Sequence, residues 1–71
     1  MTTEEKIALI ENAIEAEDLK IDTVLGDIEV WDSLAKLSII IMFDQHFNKN
    51  IDTPVLSAFK TIGDIVNEMV D

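Results

Sequence analysis

Few side chains in this sequence can do covalent chemistry, and one has a distinctive setting: Ser33 follows Asp32 directly and opens a stretch that reads as a helix. A serine hydroxyl acts as a nucleophile when a base lies within hydrogen-bond reach. The single histidine, His46, is thirteen residues further along the same expected helix. At 1.5 Å per residue that is about 20 Å along the axis, which excludes a Ser33–His46 dyad if the helix is continuous. His46 falls at the edge of the helix's apolar sector and is expected to be a packed or half-exposed structural residue. Gly26 and Gly63 are isolated and make no phosphate loop, and there is no cysteine. Asp22, Asp27, Glu29 and Asp32 lack the spacing of a calcium loop and read as a solvated surface. No catalytic residue and no metal site is assigned. What remains is a serine at the first turn of a helix, directly after an acidic cap and at the end of a long loop. Ser and Asp are both favoured where helices begin, so local physics alone makes Ser33 a helix-start residue. The same position suits a phosphodiester, because first-turn N–H groups and the positive end of the helix dipole favour an attached phosphate.

The elements that must position this serine are legible from caps and periodicity. Thr2 and Glu5 have capping-box spacing, and Ile7, Ile10 and Ile14 share a face with Leu9 and Ala13 close by, predicting a helix from about Thr3 to Ala16. Between Glu17 and Trp31 the period is lost. Leu19, Ile21, Val24, Leu25, Ile28 and Val30 stand singly among acids, the pattern of a long ordered loop pinned to a core by those side chains. Loops of this length in small domains are usually functional. Asp32 is a suitable N-cap for a helix reaching about Phe47, stopped by Asn48-Lys49-Asn50. Thr53-Pro54 reads as an N-cap followed by a first-turn proline, opening a short helix to about Ala58. Thr61 with Asp64 marks another start, and Ile62, Ile65, Val66, Met69 and Val70 follow at helical spacing. The fold class is therefore all-α: one domain over residues 1–71, a small bundle of three main helices and a short third one.

The second helix carries two apolar faces. Ile39, Ile40, Phe43 and Phe47 fall within a sector about 100° wide, the core stripe. Lys36 lies in that sector near the helix start, where its ammonium can reach water. Leu34, Leu37 and Ile41 form a second stripe almost opposite, beside Ser38, Asp44 and Gln45. One core cannot take both. Either the second stripe lies under the long loop or is incidental, or it is a partner-binding patch immediately after Ser33; Leu34 covered with Leu37 and Ile41 exposed would satisfy both.

Composition limits the partners. Fifteen acids against five lysines give a net charge of −10, and residues 1–32 hold −8 of it (ten acids, two lysines). That balance argues against nucleic acid and anionic membrane and favours basic protein surfaces. Apolar residues at 48% exclude disorder from charge alone. The opening Met1-Thr2-Thr3-Glu4-Glu5 is acidic where a signal peptide would be basic, and Ile39 to Phe43 is too short to span a bilayer. A cytoplasmic monomer without membrane insertion is the expectation.

Asp32-Ser33-Leu34 resembles the Asp-Ser-Leu motif of acyl and peptidyl carrier proteins, and the likeness extends along the chain. It covers the first helix, the long first loop, the motif opening helix two, Phe47 closing it, the short helix after Ile51, and the Thr61-Ile62 start of the last helix. The resemblance implies a four-helix carrier fold with 4'-phosphopantetheine, taken from coenzyme A, on Ser33. It implies that Asp32 helps a phosphopantetheinyl transferase recognise the site, and that Leu34, Leu37 and Ile41 meet partner enzymes. Those partners would be a cargo-loading ligase or acyltransferase and downstream acyl-using enzymes. The chain itself would be no enzyme: the arm's thiol would hold an acyl or aminoacyl thioester while partners catalyse.

Two features depart from fatty-acid carriers. Ala35, Lys36 and Ser38 stand where those carriers have acids along helix two, and Trp31 precedes the motif in place of a small or glycine-containing lead-in. Trp-Asp-Ser-Leu is similar to stand-alone carriers of specialised pathways, and Trp31 is expected to anchor the loop against the core. A housekeeping fatty-acid carrier is the nearest alternative. An unmodified helical interaction module, in which the Leu34, Leu37 and Ile41 face docks a partner and Ser33 merely starts a helix, is the alternative of a different class.

Overall fold

The first helix begins as its cap spacing requires. The Glu5 N–H donates to the Thr2 hydroxyl at 3.1 Å and the Thr2 N–H to the Glu5 carboxylate at 2.8 Å, a reciprocal pair that satisfies two otherwise orphaned donors. In the computed structural model, which describes residues 1–70, α1 spans Thr3–Ile14. It stops short of the expected Ala16 because Glu15 takes a left-handed conformation (φ 56°). Glycine or asparagine would announce such a stop and glutamate does not. The Glu11 carboxylate then accepts the Leu19 N–H at 3.0 Å, turning the chain back beside α1.

The loop that follows is ordered, with a short 3₁₀ turn at Leu25–Asp27. Leu25 is buried, and Leu19, Ile28 and Trp31 pack against the core. Ile21, Val24 and Val30 do not pin the loop as the sequence suggested; they are exposed. Backbone contacts take over that role. Val24 pairs antiparallel with Thr61. The Leu25 N–H donates to the Lys60 carbonyl at 2.8 Å, the Ile62 N–H to the Thr23 carbonyl at 2.9 Å, and the Gly63 N–H to the Ile21 carbonyl at 2.8 Å.

The remaining helices are α2, Ser33–Phe47, α3, Thr53–Ser57, and α4, Ile62–Glu68. Among the described residues the architecture is thus the expected four-helix all-α bundle. The third helix starts one residue early: Asp52 is its cap, without a side-chain hydrogen bond, so Thr53 is the first helical residue and Pro54 the second. α4 has the expected Thr61–Asp64 capping box. It ends at Glu68, so Met69 is buried while Val70, read as part of the apolar stripe, is exposed.

α1 packs on α2 and α4, and α2 on α3. Ile39, Met42 and Phe43 of α2 sit at the centre with Ile10 and Ile14 of α1, Leu56 of α3 and Ile65 of α4. Ile40 and Phe47 are partly buried at its margin, and the Phe43 and Phe47 rings meet with centroids 5.8 Å apart. No buried polar side chain interrupts this core among the described residues. At the far end of α2, the Lys49 ammonium donates to the Glu68 carboxylate at 2.7 Å and to the Glu68 carbonyl at 3.2 Å, closing α4 against the bundle.

Candidate functional site

The start of α2 is held from behind. Trp31 packs half-buried against the core, its N–H donates to the Ile28 carbonyl at 3.1 Å, and the Asp32 N–H donates to the Val30 carbonyl at 2.8 Å. These contacts deliver Asp32 in an extended conformation (φ −116°, ψ −169°), as an N-cap must be. The Asp32 carboxylate accepts the Ala35 N–H at 2.9 Å, and its carbonyl accepts the Lys36 N–H at 3.0 Å. Trp31 therefore takes the loop-anchoring position expected of it, and Asp32 is the cap.

Ser33 is the first residue of α2 and is exposed. Its hydroxyl and the N–H groups of Ser33 and Leu34 have no hydrogen-bond partner among the described residues. α2 also has no acid in its first turn, unlike α1 with Glu4 and Glu5 and α4 with Asp64. Lys36 stands there instead, half-buried and one turn from Ser33. Helical side chains lean toward the N-terminus, so the lysine stem lies over the turn that carries the serine. Ser33 and Lys36 share a cleft of about 320 Å³ with Leu37, Ile40 and, from the start of α3, Thr53. The wheel position of Lys36 foreshadows its place here. Thr53 has no signal in the sequence, because only the packing of α3 on α2 brings it near.

Leu34, Leu37 and Ile41 are 74%, 51% and 46% exposed, so the loop does not cover the second stripe. Leu34, which the sequence offered as the covered member, is the most exposed of the three. The stripe forms a ridge with two different flanks. Leu37 faces the Ser33 cleft on the α3 side, whereas Leu34 and Ile41 border a shallow groove between α2 and α1.

His46 is exposed rather than packed, and borders the far end of that groove. α2 is continuous from Ser33 to Phe47, so the separation that excludes a Ser33–His46 dyad holds. No group of three or more His, Cys, Asp or Glu side chains among the described residues could hold a metal ion. No described helix is long and apolar enough to cross a membrane.

The residues at the start of α2 fit a phosphodiester on Ser33: the hydroxyl is accessible and uncommitted, two N–H groups beside it are unpaired, and Lys36 lines its cleft. Comparison with protein-family models, with curated proteins and with solved structures yields no match.

Proposed function

We propose that this chain is an acyl carrier that bears 4'-phosphopantetheine on Ser33 and serves a specialised biosynthetic pathway, in the cytoplasm and as a monomer. The observation that carries the reading is the setting of Ser33. It is an exposed, uncommitted hydroxyl at the first position of the central helix, capped by Asp32 and followed by an exposed apolar ridge. The Asp32-Ser33-Leu34 resemblance gives that setting its chemistry. When attached, the arm supplies a terminal thiol, which this cysteine-free chain otherwise lacks, and holds an acyl or aminoacyl group as a thioester. The chain's own residues hold and present: Asp32 fixes the first turn for a phosphopantetheinyl transferase, Lys36 and the free N–H groups face the phosphate, and Leu34, Leu37 and Ile41 meet a loading ligase or acyltransferase and the enzymes that follow. Lys36 and Ser38 in place of acids support partners other than those of ordinary fatty-acid synthesis.

Intact-mass analysis tests this directly. After incubation with coenzyme A and a broad-specificity phosphopantetheinyl transferase, the expected result is a gain of one arm, located on Ser33 by peptide mapping. No gain under conditions that fully modify a control carrier would sink the reading. The exposed ridge also favours a second reading, an unmodified interaction module. In that case Ser33→Ala would leave function intact and Leu37→Asp would abolish it.

A further inference from the structure

The ridge on α2 has a second flank, away from the cleft that holds Ser33. On the α1 side, two shallow depressions of about 230 and 260 Å³ meet at Ala13 and Ser38. Together they form a groove between two packed helices. Leu9, Ala13 and Met42 contribute to its floor, and Leu34 and Ile41 stand exposed along one bank. Small side chains at its middle, Ala13 on one wall and Ser38 on the other, leave room where the helices would otherwise close.

Charge says what kind of occupant fits. Glu15 and Asp32 sit at one end of the groove and His46 at the other, and none of the five lysines lines it. α1 adds Glu11 next to Glu15 on its outer side. Glu17 lies on that outer side as well, which places four of the ten acids of residues 1–32 in or beside this flank. A second copy of the chain, itself at −10, is repelled, and so is an anionic membrane surface. An amphipathic helix uses one apolar stripe to enter such a groove and its polar flanks to meet the rim.

We propose that the α1–α2 groove is a docking site for a cationic amphipathic helix of a partner protein, one that inserts an i, i+3, i+4, i+7 apolar stripe beside Ser38. The groove lies across the ridge from the cleft that holds Ser33. A partner helix seated in it takes Leu34 and Ile41 and leaves the cleft of Ser33 and Leu37 open. The inference does not depend on Ser33 being modified.

The probe is an amidated 14-residue peptide of leucine and lysine with leucines at that spacing, titrated into the ¹⁵N-labelled full chain. The expected result is saturable shifts centred on the amides of Ala13, Ser38 and Ile41, with Thr53 little affected. A peptide of the same composition with the stripe scrambled is expected to bind at least about tenfold more weakly, and a glutamate-for-lysine version more weakly still. Ser38→Arg, which fills the groove with a cation, is expected to weaken the leucine–lysine peptide by about tenfold or more, whereas Ser33→Ala is expected to bind it as the parent does. Ile41→Lys, at an exposed position, repeats the test should Ser38→Arg unfold the chain. Equal binding of the scrambled peptide, shifts centred on the Ser33 cleft or spread over the acidic loop, association of the chain with itself through these amides, or stronger binding to phosphatidylglycerol vesicles than to the peptide would each overturn the proposal. Arm transfer to Ser33 is measured on the same samples; its failure with normal peptide binding would count against the carrier reading alone.

Discussion

Two helix starts in this molecule are built from similar residues and put to opposite uses. At α4, the Thr61 hydroxyl and the Asp64 carboxylate are both engaged. The Thr61 hydroxyl accepts the Asp64 N–H at 3.3 Å, the Asp64 carboxylate accepts the N–H groups of Lys60 and Thr61 at 2.7 and 3.1 Å, and the loop backbone closes over Ile62 and Gly63. At α2, Asp32 supplies one side-chain cap, and the hydroxyl beside it is left uncommitted and exposed. The α4 start joins the first loop to the bundle. The α2 start is held from behind by Trp31 and open in front. A side chain spent on hydrogen bonds within the fold is unavailable for chemistry, and of the two only the α2 start leaves its hydroxyl unspent.

The largest effects should fall on opposite properties at the two starts. Ser33→Ala is expected to abolish arm transfer completely while costing about 1 kcal/mol of stability or less, since only a weak helix-start preference is lost. Intact mass and a thermal melt on the same sample measure both. A fold as damaged as the transfer would erase the distinction between the two helix starts.

Gly63→Val should do the reverse. A Cβ at Gly63 would stand 3.0 Å from the Ile21 carbonyl oxygen and 3.1 Å from Ile21 Cγ2, and that carbonyl is the acceptor of the Gly63 N–H itself. Relief of the clash requires the loop to move off the hydrogen bond that holds it. The gain from removing a helical glycine is about 1 kcal/mol or less and is smaller near a helix end and for a β-branched residue. Overpacking wins, with an expected loss of about 1–3 kcal/mol. In a domain of this size each kcal/mol lowers the melting temperature by about 4–8 °C. Arm transfer below the melting transition is expected to stay near normal, because Trp31 and Asp32 hold the Ser33 turn independently. Gly26 is the internal control: a Cβ there meets nothing within 4 Å.

A smaller contrast concerns the caps. Thr61→Ala is expected to cost about 1 kcal/mol by chemical denaturation. Asp32→Ala should cost a similar amount and also slow arm transfer at subsaturating transferase, by the recognition role proposed for it. A normal transfer rate in Asp32→Ala would reduce that residue to a cap.

What could be read in advance divides along the same line. The helices were legible because Ile10, Ile14, Ile39, Phe43, Ile62 and Ile65 repeat at helical spacing, and because Thr2–Glu5 and Thr61–Asp64 carry cap chemistry in their side chains. The second apolar face of α2 was legible too, since one core cannot bury two opposite faces; that the loop leaves it exposed was not. The clamp of the loop on α4 was not, because it runs through the backbone atoms of Ile21, Thr23, Leu25 and Lys60 and through the missing side chain of Gly63, which carry no periodic signature. Nor could the sequence divide the ridge: Leu37 belongs with the Ser33 cleft and Leu34 and Ile41 with the α1 groove only because α3 and α1 pack on opposite sides of it.

Acid titration probes the comparison most gently. The N–H groups of Lys60 and Thr61 hold the Asp64 carboxyl below its ordinary value of 3.8, the Lys60 bond being the larger cause, and the Thr2 backbone N–H, followed by the Thr2 hydroxyl, does the same for Glu5 relative to 4.5. A carboxyl whose folded value is depressed contributes stability that is fully present above its unfolded value and is lost as the pH falls through the folded one. Stability should therefore be flat with pH above these ordinary values and decline below them. Asp64→Asn should flatten part of that decline, and Glu5→Gln another part. Glu5 is exposed and Asp64 only half-buried, so the changes are small and best read as a difference in acid midpoint between variant and parent. If the loop is fastened to α4 partly through this carboxylate, the amides of Ile62 and Gly63 lose hydrogen-exchange protection at a higher pH than those in the middle of α2. Simultaneous loss at both places would mean that the loop clamp and the core open as one unit, and that the α4 start stabilises the whole bundle rather than the loop alone.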